Sequence, residues 1–304
     1  MAEIIEIKDF LNYSDQGIPV VDVRTPAEYE TAHIPAARNI PLFSNEERKI
    51  VGTKYKQVNR EAAMLSGLEF VGKKMVNLAK EGMKVAGRNK KVLLYCWRGG
   101  MRSESVAWLF SNMGITCYTL KGGYKSYRKY LREAFNLPFQ IIVVGGKTGS
   151  GKTEILKLLE DAGEQVINLE KLANHKGSAF GALGELPQPT TEQFENLIFE
   201  TIRLLDAGKR IWVEDESRNI GRCVIPPELY YQMRLGTTLF LDIPREMRAE
   251  RLTADYAQYE KELLKSCILK IGKKLGGDRT KASLESLEKN DFRLSAMNML
   301  EYYD

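Results

Sequence analysis

The stretch Gln140-Ile141-Ile142-Val143-Val144-Gly145-Gly146-Lys147-Thr148-Gly149-Ser150-Gly151-Lys152-Thr153 decides the fold of the second half of the chain. An apolar, β-branched run leads into G-x-x-x-x-G-K-[ST], so a buried strand turns through a glycine loop into a helix. Glycines let several N–H groups converge on phosphate oxygens, and the following helix points its positive end at the same place. Gly146, Gly149, Ser150 and Gly151 are therefore expected to cradle a diphosphate, Lys152 to neutralise it and Thr153 to ligate Mg²⁺. Downstream, Ile211-Trp212-Val213 runs into Glu214-Asp215-Glu216, which places carboxylates at the C-terminal end of another buried strand. Asp215, with Glu214 as the alternative, is the expected metal-side acid. The loop calls for a pyrophosphate-like group, and nothing in it selects ATP, GTP or hydrolysis.

Working outward, short β-branched runs alternate with longer helical patterns, which predicts an α/β protein with parallel sheets covered by helices. Strands are expected at 19–23, 91–95, 116–120, 140–144, 164–168, 210–214 and 237–242. Helices are expected at 26–32, 70–84, 102–113, 152–162, 191–207, 244–253 and 256–274. Pro138 stops the helix before it, and a fresh apolar strand follows. The chain is divided there into domains 1–135 and 136–304, the second carrying a helical C-terminal segment.

The composition, 43% hydrophobic and 28% charged over 304 residues, supports two ordinary domains and excludes a disordered chain. No run of about 18 apolar residues occurs, and MAEIIEIKDF lacks a signal-peptide layout, so a cytoplasmic protein without a membrane span is expected. Four scattered cysteines and two histidines argue against a disulfide scaffold, a structural zinc site and a Ser-His-Asp triad. The net charge of +5 is uneven: residues 1–135 hold 22 Lys+Arg against 14 Asp+Glu, so the front half is the expected face for a polyanion.

The second chemical signal is Tyr95-Cys96-Trp97-Arg98-Gly99-Gly100-Met101-Arg102-Ser103, placed after a strand and before a helix. Loop N–H groups, a helix N-terminus and the guanidinium groups of Arg98 and Arg102 favour Cys96 as a thiolate. Cys117, Cys223 and Cys267 have no such surroundings and read as packing residues. For a nucleic acid, Lys121, Lys125, Arg128 and Lys129 are interleaved with Tyr124 and Tyr127, a pattern that could offer both phosphate contacts and stacking rings from one helix.

Val21-Asp22-Val23-Arg24-Thr25-Pro26-Ala27-Glu28-Tyr29, followed by His33-Ile34-Pro35-Ala36-Ala37-Arg38-Asn39-Ile40-Pro41, resembles the opening of a rhodanese domain. Cys96 falls where that family carries its sulfur-bearing cysteine. Ordinary single-domain rhodaneses place four residues between this cysteine and the next arginine. Here Trp97 to Met101 make five, the C-x5-R spacing of cysteine phosphatases, whose cradle holds a phosphate-sized group. The fusion of such a domain to a phosphate-loop domain resembles the tRNA 2-selenouridine synthases. Further stretches carry the likeness: 51–57, Gly122-Gly123-Tyr124-Lys125-Ser126-Tyr127-Arg128, Asn174-His175-Lys176-Gly177-Ser178, and 213–218. Family members commonly continue beyond the position of Asp304.

The resemblance implies an enzyme that replaces the sulfur of wobble 2-thiouridine in tRNA with selenium from selenophosphate, by way of an S-geranyl intermediate made from geranyl diphosphate. It implies that Cys96 receives or delivers selenium, a perselenide being one form, with Arg98 and Arg102 on the donor's phosphate. The glycine loop would then hold geranyl diphosphate, with nucleotide binding left open, and a selenophosphate-supplying enzyme becomes a potential partner. Two other enzymes fit the residues. An ATP-dependent tRNA sulfurtransferase would couple ATP use to sulfur incorporation. A C-x5-R phosphatase with a nucleotide-binding domain would ordinarily carry histidine where Tyr95 stands. A tRNA-binding module without catalysis would keep every activity when Cys96 is changed to Ser.

Overall fold

A computed structural model of the chain describes residues 2–304. Two compact units form, the first ending at Ala134 and the second running from Phe135 to Asp304. Each is built on a parallel sheet flanked by helices. Among the described residues no helix is long and apolar enough to cross a membrane.

The first unit contains β1 (Glu3–Ile5), α1 (Ile7–Asp15), β2 (Val20–Asp22), α2 (Pro26–Thr31), β3 (Arg38–Asn39), α3 (Asn45–Gln57), α4 (Arg60–Gly72), α5 (Met75–Ala86), β4 (Lys91–Tyr95), α6 (Met101–Asn112), β5 (Thr116–Leu120) and α7 (Gly123–Ala134). Its strands pair in parallel in the order β1-β5-β4-β2-β3. Residues 92–95 of the central β4 are buried, as a strand covered on both faces must be. Loops at the carboxyl ends of such strands gather into a crevice, and Cys96 sits at the end of β4. β1 and β3 escape the sequence pattern because two or three residues are too few to show alternation. The helix expected over 70–84 is two helices, since α4 ends at Gly72 and the chain turns at Lys73-Lys74 before α5. Val21, Val92, Leu94, Val106 and Phe110 belong to one core cluster. A Cβ at Gly82 of α5 would lie 2.5 Å from the Phe110 ring, so glycine lets the backbone of α5 meet that ring.

The second unit runs β6 (Gln140–Gly146), α8 (Lys152–Asp161), β7 (Gln165–Ile167), α9 (Leu169–Ala173), α10 (Thr191–Ile202), β8 (Arg210–Glu214), β9 (Asn219–Ile220), β10 (Cys223–Val224), α11 (Pro227–Leu235), β11 (Thr237–Leu241), α12 (Arg245–Tyr256), α13 (Lys261–Leu275), α14 (Gly277–Glu288) and α15 (Phe292–Tyr303). Its parallel sheet has the order β11-β6-β8-β7. The helix expected from Tyr256 starts at Lys261, because α12 extends to Tyr256 and a turn intervenes. Leu264, Ile268 and Leu287 of the C-terminal helices bury themselves with Phe180. The helical segment is thereby a packed wall of this unit, stabilised by roughly 1.5–3 kcal/mol per large side chain buried.

Candidate active site

The cysteine loop occupies the turn between β4 and α6. The Gly100 N–H donates to Cys96 Sγ at 3.4 Å, and the Ser103 hydroxyl donates to it at 3.3 Å. Burial by itself would raise this thiol. The Ser103 hydroxyl, the Gly100 amide and the Arg102 charge outweigh it and hold Cys96 below the ordinary thiol value. At Cys117 burial outweighs the one hydroxyl, that of Ser111, and pushes the thiol up to about 11. Cys96 is only 4% exposed, yet polar groups face its sulfur, which sets it apart from a packing cysteine. Arg102 is clamped by Glu28 through contacts of 2.7 and 3.3 Å. Sequence reasoning did not single out Glu28 as a site residue. Its signal was Thr25-x-x-Glu28, a capping box at the start of α2 that the structure forms. Arg98 lines a groove beside the loop.

Tyr124, Tyr127 and Arg128 correct the expectation of a stacking face for RNA. They are 1%, 0% and 8% exposed, because α7 turns the side at 124, 127, 128 and 131 inward. Tyr124 stacks on Tyr95 and Tyr127, and the Arg24 guanidinium lies 4.1 Å from its ring centre. The segment builds the cysteine loop instead. The Tyr124 and Lys125 N–H groups donate to the carbonyls of Cys96 and Trp97 at 2.8 and 3.0 Å. Gly123, at φ 60°, admits the loop so closely that a Cβ would stand 2.3 Å from the Cys96 carbonyl oxygen. Lys121, Lys125 and Lys129 remain exposed, Lys121 paired with Glu6 and Lys129 with Glu133. His33 holds the opening turn through its Nδ1 contact with the Tyr29 carbonyl at 2.9 Å.

In the second unit, β6 ends at Gly146 and α8 begins at Lys152, with Gly146, Gly149 and Gly151 all at positive φ. Lys152 Nζ donates to the Gly146 carbonyl at 3.1 Å, and the buried Ser150 hydroxyl has no partner among the described residues. Thr153 Oγ1 donates to Glu170 at 3.1 Å. The Glu170 N–H in turn donates to Glu214 Oε1 at 2.7 Å, leaving Glu214 Oε2 buried and, among the described residues, unpartnered. Burial first, then the neighbouring Glu170 charge, pushes Glu214 up to about 7 against the pull of Lys152. Burial also raises Glu170 and Glu216. Asp215 is not part of this cluster. Side chains alternate along an extended strand end, and Asp215 leaves the side of Glu214 to pair with Arg234. Glu170, which the sequence did not single out, takes the place next to Thr153.

Gly177 closes over these carboxylates, where a Cβ would lie 2.6 Å from Glu216 Oε2. His175 Nδ1, in the same segment, is buried without a partner among the described residues, and burial lowers this histidine. Arg248 donates to the Thr148 carbonyl at 3.1 Å while Asp304 holds its guanidinium from the other side. A small apolar cavity behind Thr148 is lined by Phe180, Leu252, Tyr256, Met299 and Leu300 among others. The Thr153 hydroxyl, Glu170 and the orphaned Glu214 oxygen are oxygen donors of the chemical type Mg²⁺ takes. Among the described residues no three acidic, histidine or cysteine side chains form a closed metal cage, and Mg²⁺ takes most of its ligands from phosphate and water.

A cysteine loop at the end of one parallel sheet and a glycine loop at the end of another define a rhodanese domain fused to a P-loop domain. A family model described as a rhodanese-like domain matches residues 6–130, and one described as the tRNA 2-selenouridine synthase AAA domain matches residues 139–303. A protein of Sulfurovum sp. (strain NBC37-1) named tRNA 2-selenouridine synthase is 36% identical, over 95% of this chain and 84% of its own. Another of that name, from Bdellovibrio bacteriovorus, is 37% identical over 91% of this chain and 82% of its own. A crystallised N-terminal domain from Clostridium difficile 630 is 39% identical, covering 42% of this chain and 98% of its own at a TM-score of 0.40. The chain belongs to the tRNA 2-selenouridine synthase family.

Proposed function

We propose that this enzyme converts wobble 2-thiouridine in tRNA to 2-selenouridine in two displacements. In the first, the nucleoside sulfur attacks C1 of geranyl diphosphate. A C–S bond forms, the C–O bond breaks, and pyrophosphate leaves with the electron pair while the N3 proton is lost to solvent. Lys152 and the N–H groups of the glycine loop neutralise that leaving group, and the apolar side chains behind Thr148 suit prenyl carbons better than a ribose. Mg²⁺ held by Thr153 and Glu170 would add charge neutralisation there.

In the second displacement, selenide attacks C2 of the nucleoside and geranyl thiolate departs, because alkylation has turned a poor leaving group into a good one. Selenide comes from selenophosphate. The Cys96 thiolate attacks its phosphorus, an S–P bond forms, the P–Se bond breaks, and selenide leaves with the electron pair. Water then cleaves the S–P bond, releasing phosphate and restoring the thiolate. Arg98, Arg102 and the Gly100 amide balance charge on the phosphate oxygens. A perselenide on Cys96 would require a two-electron oxidant, whereas this route requires none.

The observation that supports the reading most is the Cys96 nest, in which an amide, a hydroxyl and a clamped guanidinium surround one sulfur at C-x5-R spacing. To test it, 2-thiouridine tRNA is given geranyl diphosphate and then selenophosphate, and digested nucleosides are weighed. Appearance of the S-geranyl and then the seleno nucleoside is expected. Acid-quenched protein should carry one phosphoryl group on Cys96. Selenation with ATP consumption and no geranyl nucleoside would contradict the reading.

A further inference from the structure

We propose that the groove between α3 and α4 seats the prenyl chain of the S-prenyl nucleoside while that nucleoside is presented to the Cys96 loop. The proposal rests on the function read above and adds a binding site to it. The groove encloses about 560 Å³, within the usual range for a bound organic group. Phe43, Val51, Met64, Leu68, Val71 and Met101 make its lining apolar. Met64, Leu68 and Met101 are 43%, 63% and 46% exposed, a cost in hydration that an aliphatic occupant would remove.

The rim is cationic. Arg48, Lys56, Arg60 and Arg98 line it against one acid, Glu104, and among the described residues none of the four has a carboxylate partner, in contrast to Arg102 with Glu28. Gly52 leaves room for Arg48 to lie along its own helix, since a Cβ there would stand 2.6 Å from Arg48 Nη1. Arg98 and Met101 belong to the Cys96–Ser103 stretch itself, so the groove reaches the turn that holds Cys96. An apolar channel edged by unpaired cations fits an aliphatic chain carried by a polyanionic strand. The rim cations come from three separate elements, α3, α4 and the β4–α6 turn, where a glycine loop draws its amides from one short segment. That spacing suits successive phosphodiesters better than one compact diphosphate.

The test uses the full chain and two anticodon stem-loop RNAs, one with S-geranyl-2-thiouridine and one with 2-thiouridine, titrated calorimetrically. The geranylated RNA should bind about tenfold tighter. Leu68→Asn and Met64→Asn, at exposed positions that folding tolerates, should reduce that preference to about twofold or less while binding of the plain stem-loop is retained. Arg48→Ala combined with Arg60→Ala should weaken both RNAs alike. An undiminished preference in the Asn variants, with nucleoside conversion intact in the wild type, would overturn the groove and leave the function standing. A raised KM for geranyl diphosphate in place of a lost preference would assign the groove to the free donor and also overturn it. A wild-type protein that neither discriminates nor converts the nucleoside would overturn the function reading itself.

Discussion

Glu28 ties the opening turn of the first unit to Arg102: its Oε2 accepts the Thr25 N–H at 2.9 Å and Arg102 Nη1 at 2.7 Å. One carboxylate thus closes a helix cap and orients the guanidinium beside Cys96. Burial opposes its ionisation, but Arg102 and the Thr25 amide hold Glu28 below its ordinary value of 4.5. A carboxylate depressed in the folded state stabilises the fold above that value, and the contribution is lost as pH falls through the folded pKa. Glu28→Gln should therefore cost about 1–2 kcal/mol near neutrality, and the difference from wild type should shrink below pH 4.5. Urea midpoints measured across pH check this, and a constant difference would contradict it.

Ser103 carries a second prediction. Its hydroxyl is a main reason the Cys96 thiol titrates below the ordinary 9.0, so the iodoacetamide rate of Cys96, followed by peptide mass, should have its midpoint below that value. Ser103→Ala should move the midpoint upward. A midpoint unchanged by the substitution would show that the hydroxyl does not stabilise the thiolate.

Gly123→Ala forces both a left-handed backbone and a Cβ 2.3 Å from the Cys96 carbonyl oxygen. Backbone strain of this kind costs about 1–3 kcal/mol, and the displaced loop should lose most selenium transfer. Geranylation, assigned to the other unit, should survive in the folded fraction. Equal loss of both steps, with the melting temperature unchanged, would count against the division.

Both loops were legible in the sequence because their chemistry is local. Gly146 to Thr153 and Cys96 to Ser103 each follow a strand directly and carry turn and donors within a dozen residues, the second with a nucleophile as well. What local spacing leaves open is orientation. Helical spacing puts Tyr124, Tyr127 and Arg128 on one side of α7 but does not say whether that side meets RNA or the core. The acidic run at 214–216 marks a strand end without giving the phase of its alternation, which sets Glu214, and not Asp215, beside Glu170. Glu28 meets Arg102 across 74 residues and Glu170 meets Thr153 across 17, and no local pattern announces either contact.

The reassignment of the acid yields its own test. Asp215→Asn should leave geranylation within about threefold of wild type, since its partner is Arg234, whereas Glu170→Gln beside Thr153 should lower kcat/KM by about a hundredfold. The reverse order, read from initial rates at saturating tRNA, would restore Asp215 as the metal-side residue.

The division of labour between the two loops is tested most directly by one mass-spectrometric assay on two variants, using 2-thiouridine tRNA supplied first with geranyl diphosphate and then with selenophosphate. Lys152→Ala should abolish the S-geranyl nucleoside yet still selenate tRNA that was geranylated beforehand, whereas Cys96→Ser should accumulate the S-geranyl nucleoside and form no 2-selenouridine. Formation of 2-selenouridine at the wild-type rate by Cys96→Ser would contradict the account.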